Sequence, residues 1–163
     1  MQIVDEASAS AAWAMIGPVI AARQAAAAER DVQTQQEQAK QQVVTELKAR
    51  DREVRTHEQA HAAVGRPFTG QPSYTYQAGP DGGRYAVSGE VPIDVSPVEG
   101  DPAATIAKME IVKAAALAPA EPSSADRKIA ALADANRARA RADLAAERAA
   151  ERRGDTEAVD LRL

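Results

Sequence analysis

Apolar positions are unevenly distributed along this chain, and their spacing changes twice. From Ala21 to Val64 there is neither proline nor glycine, and Ala, Gln, Glu, Lys and Arg dominate. Such side chains lose little rotamer freedom in a helix, which predicts one long helix or two nearly continuous ones. Its apolar residues are sparse: Val32, Val43, Val44, Leu47 and Val54. The series 32, 36, 39, 43, 47, 50, 54 has coiled-coil spacing, but Gln36, Ala39 and Arg50 fill that seam poorly. A polar helix of this kind projects into solvent or pairs weakly with a partner helix. Gly65, followed by Pro67, supplies its stop.

The period then falls to two. Ser73–Gln77 alternates with both tyrosines on one face, and Arg84–Val91 alternates with Tyr85, Val87 and Val91 opposite Ala86, Ser88 and Glu90. Between them, Ala78-Gly-Pro-Asp-Gly-Gly83 carries reversal chemistry, so a β-hairpin is expected. A lone hairpin is marginal in water and must pack on a helix. Helical spacing returns after Asp101-Pro102, an N-cap with proline at the first helical position. Ile106, Met109, Val112, Lys113 and Ala116 form its face, and Pro119 ends it. Ser123 with Asp126 resembles a capping box opening a last helix, whose face begins with Ile129, Leu132, Ala133 and Asn136. Near residue 137 that face dissolves into an Ala/Arg/Glu repeat, with a disordered tail expected after Gly154.

Composition narrows this picture. The 163 residues suit one modest domain, and the apolar 45% is largely alanine, with aromatics at 3%. Alanine buries little area, so a thin core is expected, centred where Phe68, Tyr74, Tyr76 and Tyr85 lie. A net charge of −4 argues against phosphate backbones as partners. The absence of cysteine removes disulfides, thiolate nucleophiles and thiolate-bound zinc. Ala7–Ala22 is uncharged but too short to span a bilayer, and Gly17-Pro18 interrupts it. Asp5 and Glu6 stand where a secretory signal needs positive charge. A short helix docked on the protein or a partner is the expectation, with weak membrane contact as its alternative. The cytoplasm is the expected compartment.

The chemistry concentrates in His57-Glu-Gln-Ala-His61, which holds both histidines of the chain. Residues four apart stand one turn above each other on a helix, so both imidazoles reach one zinc ion. Glu58 falls beside that metal, where a carboxylate serves as general base towards acidified water. Arg55, two residues before the motif, is expected to point away from the metal face or towards a carboxylate. A catalytic zinc needs a third protein ligand. Glu90 is the first choice, because Ala86 and Ser88 on its face and Gly89 beside it admit a helix closely; Asp94 and Glu110 are the alternatives. The tyrosines 74, 76 and 85 offer hydroxyls to an oxyanion, though core packing competes for them.

The run Leu47–His61, Ser73-Tyr-Thr-Tyr-Gln with Gly79-Pro-Asp-Gly, Tyr85–Val91 with Ile93-Asp94, and Ala115–Ser123 with Asp126-Arg together resemble the bacterial SprA-related family. The likeness covers about residues 44–135, leaving the N-terminal helix and the Ala/Arg-rich tail outside. It implies His57 and His61 as zinc ligands and Glu58 as the catalytic carboxylate. The fold expected is α+β and mostly helical, of minigluzincin-like type: a long helix bearing HExxH, one hairpin and two C-terminal helices. Three segments are expected: 1–43, a metallopeptidase-like domain 44–135, and a tail 136–163. The expected function is zinc-dependent hydrolysis of a peptide or protein substrate. The alternative is a non-enzymatic, zinc-stabilised scaffold that engages a partner helix or a membrane or secretion apparatus.

Overall fold

The computed structural model of the chain describes residues 6–160, with side chains at position 14 and at 16–153; residues 1–5 and 161–163 lie outside the described residues. The element order is α1 (Glu6–Val64), β1 (Ser73–Ala78), β2 (Arg84–Glu90), α2 (Pro102–Ala116) and α3 (Ser124–Asp160). This is the expected α+β, mostly helical architecture.

Two elements run further than the sequence suggests. α1 is a single helix of 59 residues with Pro18 inside it. Proline withdraws one backbone donor and clashes with one carbonyl, and the alanine-rich flanks carry the helix across that defect. α3 likewise continues through Gly154 to Asp160, where a disordered tail was expected.

The chain divides into two compact units, Met1–Glu46 with Gly79–Gly83, and Leu47–Ala78 with Arg84–Leu163. In the first, α1 leaves Ile16, Val19, Ile20, Val32 and Val43 exposed. Trp13 and Met15 of the apolar N-terminal stretch lie outside the described side chains. No helix among the described residues is long and apolar enough to cross a membrane.

The second unit holds the core and the site. Along α1, Leu47, Val54, Glu58 and His61 are buried, a stripe at steps of seven, four and three residues that keeps one helix face inward. β1 and β2 pair antiparallel, Ser73 opposite Glu90 and Ala78 opposite Arg84. The register slips once: Thr75 faces Ser88 while Tyr76 faces Ala86, so Val87 is an extra residue on β2. α1 meets this irregularity with polar side chains. The Ala86 N–H donates to Asp51 Oδ1 at 2.8 Å, and Arg50 Nε donates to the Val87 carbonyl at 3.1 Å. Backbone groups that a bulge leaves unpaired are thereby satisfied.

α2 starts as its sequence demands, with Asp101 Oδ1 accepting the Ala104 N–H at 2.7 Å. α2 packs on α3 around fully buried Met109, Val112 and Ala133, flanked by Phe68, Ile93, Val95 and Ile129. Met109 and Val112 are the largest fully buried side chains among the described residues, so the core is as thin as the alanine content implies. Polar contacts supplement it. Lys108 donates to Asp94 at 2.6 Å, and Asn136 Nδ2 donates to the Val95 carbonyl at 2.8 Å. Leu132, expected on the inward face of α3, is 53% exposed; Ala133 is buried as expected, together with Ala130 and Ala140.

Candidate metal centre

His57 and His61 share one face of α1, their rings in an edge-on contact with centroids 4.8 Å apart. Gly65 lets the end of α1 approach α2: a Cβ there would collide with Thr69 and Ala115. That approach delivers His61 Nδ1 to the Ala115 carbonyl at 2.8 Å, close to the C-terminal end of α2. A carbonyl only accepts, so Nδ1 carries the proton and Nε2 of a neutral ring presents its lone pair.

The third member comes from α3. Asp126 Oδ2 lies 3.4 Å from His57 Nε2, and Oδ1 lies 3.4 Å from His61 Nε2. These three side chains form a group able to hold a metal ion, their donor atoms all within 4.8 Å of one another. Ligands about 2.0–2.1 Å from a tetrahedral zinc stand about 3.3 Å apart. The two 3.4 Å contacts, made to different oxygens of Asp126, are close to that spacing.

Asp126 is held by a reciprocal cap. The Ser123 N–H donates to Oδ2 at 2.6 Å, and the Asp126 N–H donates to Ser123 Oγ at 3.1 Å. The Ser123 carbonyl accepts the Arg127 N–H at 3.1 Å, which makes Ser123 the N-cap of α3. Burial pushes the Asp126 carboxyl up, but hydrogen bonding with Ser123 and the two histidines outweighs it and leaves Asp126 below its usual value. It is ionised at neutral pH.

Glu58 sits beside the group and is 5% exposed. Its neighbour is Gly89: a Cβ on that glycine would stand 2.6 Å from Glu58 Cγ. Burial pushes the Glu58 carboxyl above its ordinary range, opposed by His57 and His61 and reinforced by Asp126 and Glu90. His57, Glu58, His61 and Asp126 all line one cleft of about 680 Å³, whose walls include Gly89, Glu90, Glu121 and Ser123.

The structure thus joins His57 and His61 to Asp126 and leaves Glu90 out of the group. Glu90 lines the cleft, but it is exposed and accepts from Ser73 Oγ at 3.4 Å. The cause is the Val87 bulge. Ala86 faces inward, but past the extra residue the inward positions become Gly89 and Val91, which shifts Glu90 outward. The alternatives are also engaged elsewhere. Asp94 binds Lys108 and Ser96, while Glu110 lies 3.8–3.9 Å from Arg141 and Arg137. Arg55 turns to Asp51 at 2.9 Å, as expected, and lies over the Tyr74 and Tyr76 rings. No tyrosine lines the cleft among the described residues.

The sequence model of the SprA-related family matches residues 2–160. The match therefore includes the N-terminal helix and the Ala/Arg-rich segment, beyond the 44–135 region in which the likeness is visible by motif. No curated protein and no solved structure matches the chain.

Proposed function

The chain belongs to the SprA-related family, and from its site we propose that it is a zinc metallopeptidase acting on peptide bonds. The observation that carries this reading is the convergence of two imidazole nitrogens and one carboxylate on a point beside a buried, unligated glutamate in an open cleft. His57 Nε2, His61 Nε2 and Asp126 would hold the metal, three protein ligands being the number that a catalytic zinc takes. When bound, zinc supplies Lewis acidity, which polarises a carbonyl and makes water acidic near neutral pH. Glu58 takes the proton of the attacking water on its carboxylate as the new C–O bond forms. It returns that proton to the leaving nitrogen as the C–N bond breaks. Desolvation raises its pKa towards the range where one carboxylate can do both. Gly89 keeps the space in which Glu58 lies.

The test is Glu58→Gln, which keeps the volume and removes the base. Metal content stays at the wild-type level, and peptide hydrolysis falls by about 10²–10⁴-fold. Unchanged hydrolysis in Glu58→Gln with metal bound would end the enzymatic reading.

One observation favours a second reading, a zinc that serves as a structural staple. The group ties α1 to the start of α3 in a unit whose largest fully buried side chains among the described residues are only Met109 and Val112. Under that reading chelation lowers the melting temperature sharply, while no peptide is hydrolysed at any metal loading.

A further inference from the structure

The α2–α3 connection touches the metal group at both ends. At one end the Ala115 carbonyl accepts from His61 Nδ1, and at the other Ser123 exchanges two hydrogen bonds with Asp126. We propose that Ser123 is the positioning residue of the centre: it selects the conformation of Asp126 and leaves Oδ1 as the oxygen that binds the ion. This rests on the reading of His57, His61 and Asp126 as the ligand set.

An aspartate in the first turn of a helix has several staggered side-chain conformations open to it. The two bonds with Ser123 close a ring through the backbone and carboxylate, which admits one of them. The ring also distinguishes the two oxygens. Oδ2 receives the Ser123 N–H at 2.6 Å. Oδ1 faces His61 Nε2 at 3.4 Å and accepts no hydrogen bond from the protein among the described residues. A carboxylate oxygen already bonded to an amide is the weaker donor to a metal, so the free oxygen takes the ion. Without Oγ the Asp126 N–H loses its acceptor and the first turn of α3 loosens, so the carboxylate, still bonded to the Ser123 N–H, is held less firmly. Outer-shell groups of this kind hold ligands in place, and their loss costs about 10–100-fold in metal affinity.

Ser123 is also an N-cap, and loss of any cap weakens a helix. The experiment must therefore separate positioning from stability. Zinc affinity is measured on the full chain by competition with a chromophoric chelator, for wild type, Ser123→Ala, Ser123→Gly, Ser123→Thr, Asp126→Ala and Asp101→Ala. Asp101→Ala removes the matching cap of α2, far along the chain from the metal group. Ser123→Ala and Ser123→Gly are expected to lose about 10–100-fold in zinc affinity, and to change the visible spectrum of the cobalt-substituted protein. Ser123→Thr, which keeps the hydroxyl, restores both. Asp101→Ala lowers thermal stability and leaves affinity and spectrum at wild-type values. Wild-type affinity in Ser123→Ala and Ser123→Gly, or an equal loss in Asp101→Ala, overturns the positioning role alone, provided Asp126→Ala has lost the metal. Full zinc affinity in Asp126→Ala, or none in wild type, overturns the ligand set and this inference with it.

Discussion

α1 carries two regions of one helix that differ in what covers them. Up to Glu46 its larger apolar side chains stand in solvent: Ile16, Val19, Ile20, Val32 and Val43 are each more than 40% exposed. From Leu47 onward Leu47, Val54, Glu58 and His61 are each 8% exposed or less. The backbone and the residue types are alike in both regions; what changes is the presence of partners. Asp51 and Arg50 bind β2, Glu58 lies against Gly89, and His61 reaches α2 and α3. Chemistry has collected where the helix is desolvated, because only there are a carboxylate pKa raised and a histidine tautomer fixed.

Substitutions can break that contrast or sharpen it. The largest effect is expected at Gly89→Val. The added Cβ meets Glu58 at 2.6 Å, so the glutamate or the strand must move. Overpacking of this kind costs about 1–3 kcal/mol, and displacing the base is expected to remove about 100-fold of peptidase activity. Chemical denaturation and initial rates measure the two parts. Next comes a pair one helical turn apart: Leu47→Ala, at 8% exposure, should cost about 2–3 kcal/mol. Its neighbour Val43→Ala, at 42% exposure, should change stability by no more than about 0.5 kcal/mol. Equal losses in denaturant titrations would erase the distinction between the two regions.

A smaller effect concerns acid stability of the unit that holds the site. The Lys108 ammonium, with Ser96, holds the Asp94 carboxyl well below its usual range. A carboxyl whose pKa is lower folded than unfolded contributes stability above its unfolded value, near about 4. That contribution is lost as pH falls from there towards the folded value. Asp94 is half-exposed, so the pair is worth under about 1 kcal/mol at neutral pH after solvent screening. Asp94→Asn should flatten the fall in melting temperature below about pH 4. An unchanged acid slope would remove the pair from the account.

The parts of the fold legible in the sequence are those fixed by local chemistry. Asp101-Pro102 starts α2, Ser123 with Asp126 starts α3, and Ala78–Gly83 separates the strands, each through a preference that a few adjacent residues express. The HExxH pair was legible for the same reason, since helical periodicity alone puts His57 over His61. The third member of the group was not. Asp126 was readable as a cap, but its place beside the two histidines depends on where α3 meets α1, which no local pattern encodes. Glu90 was favoured by strand parity, and parity fails when an extra residue enters. Val87 is a good strand former that gives no sign of a bulge, because the bulge is stabilised from outside by Arg50 and Asp51 on α1. Pro18 erred in the opposite direction: a strong local breaker did not end a helix that continues on both sides.

Which carboxylate completes the site is open to direct measurement. Zinc per chain, measured by elemental analysis after equilibrium dialysis of wild type, Asp126→Ala and Glu90→Ala, decides it. One zinc in wild type and in Glu90→Ala, with none in Asp126→Ala, is the predicted result. Zinc retained in Asp126→Ala but lost in Glu90→Ala, or absent from wild type, would contradict it.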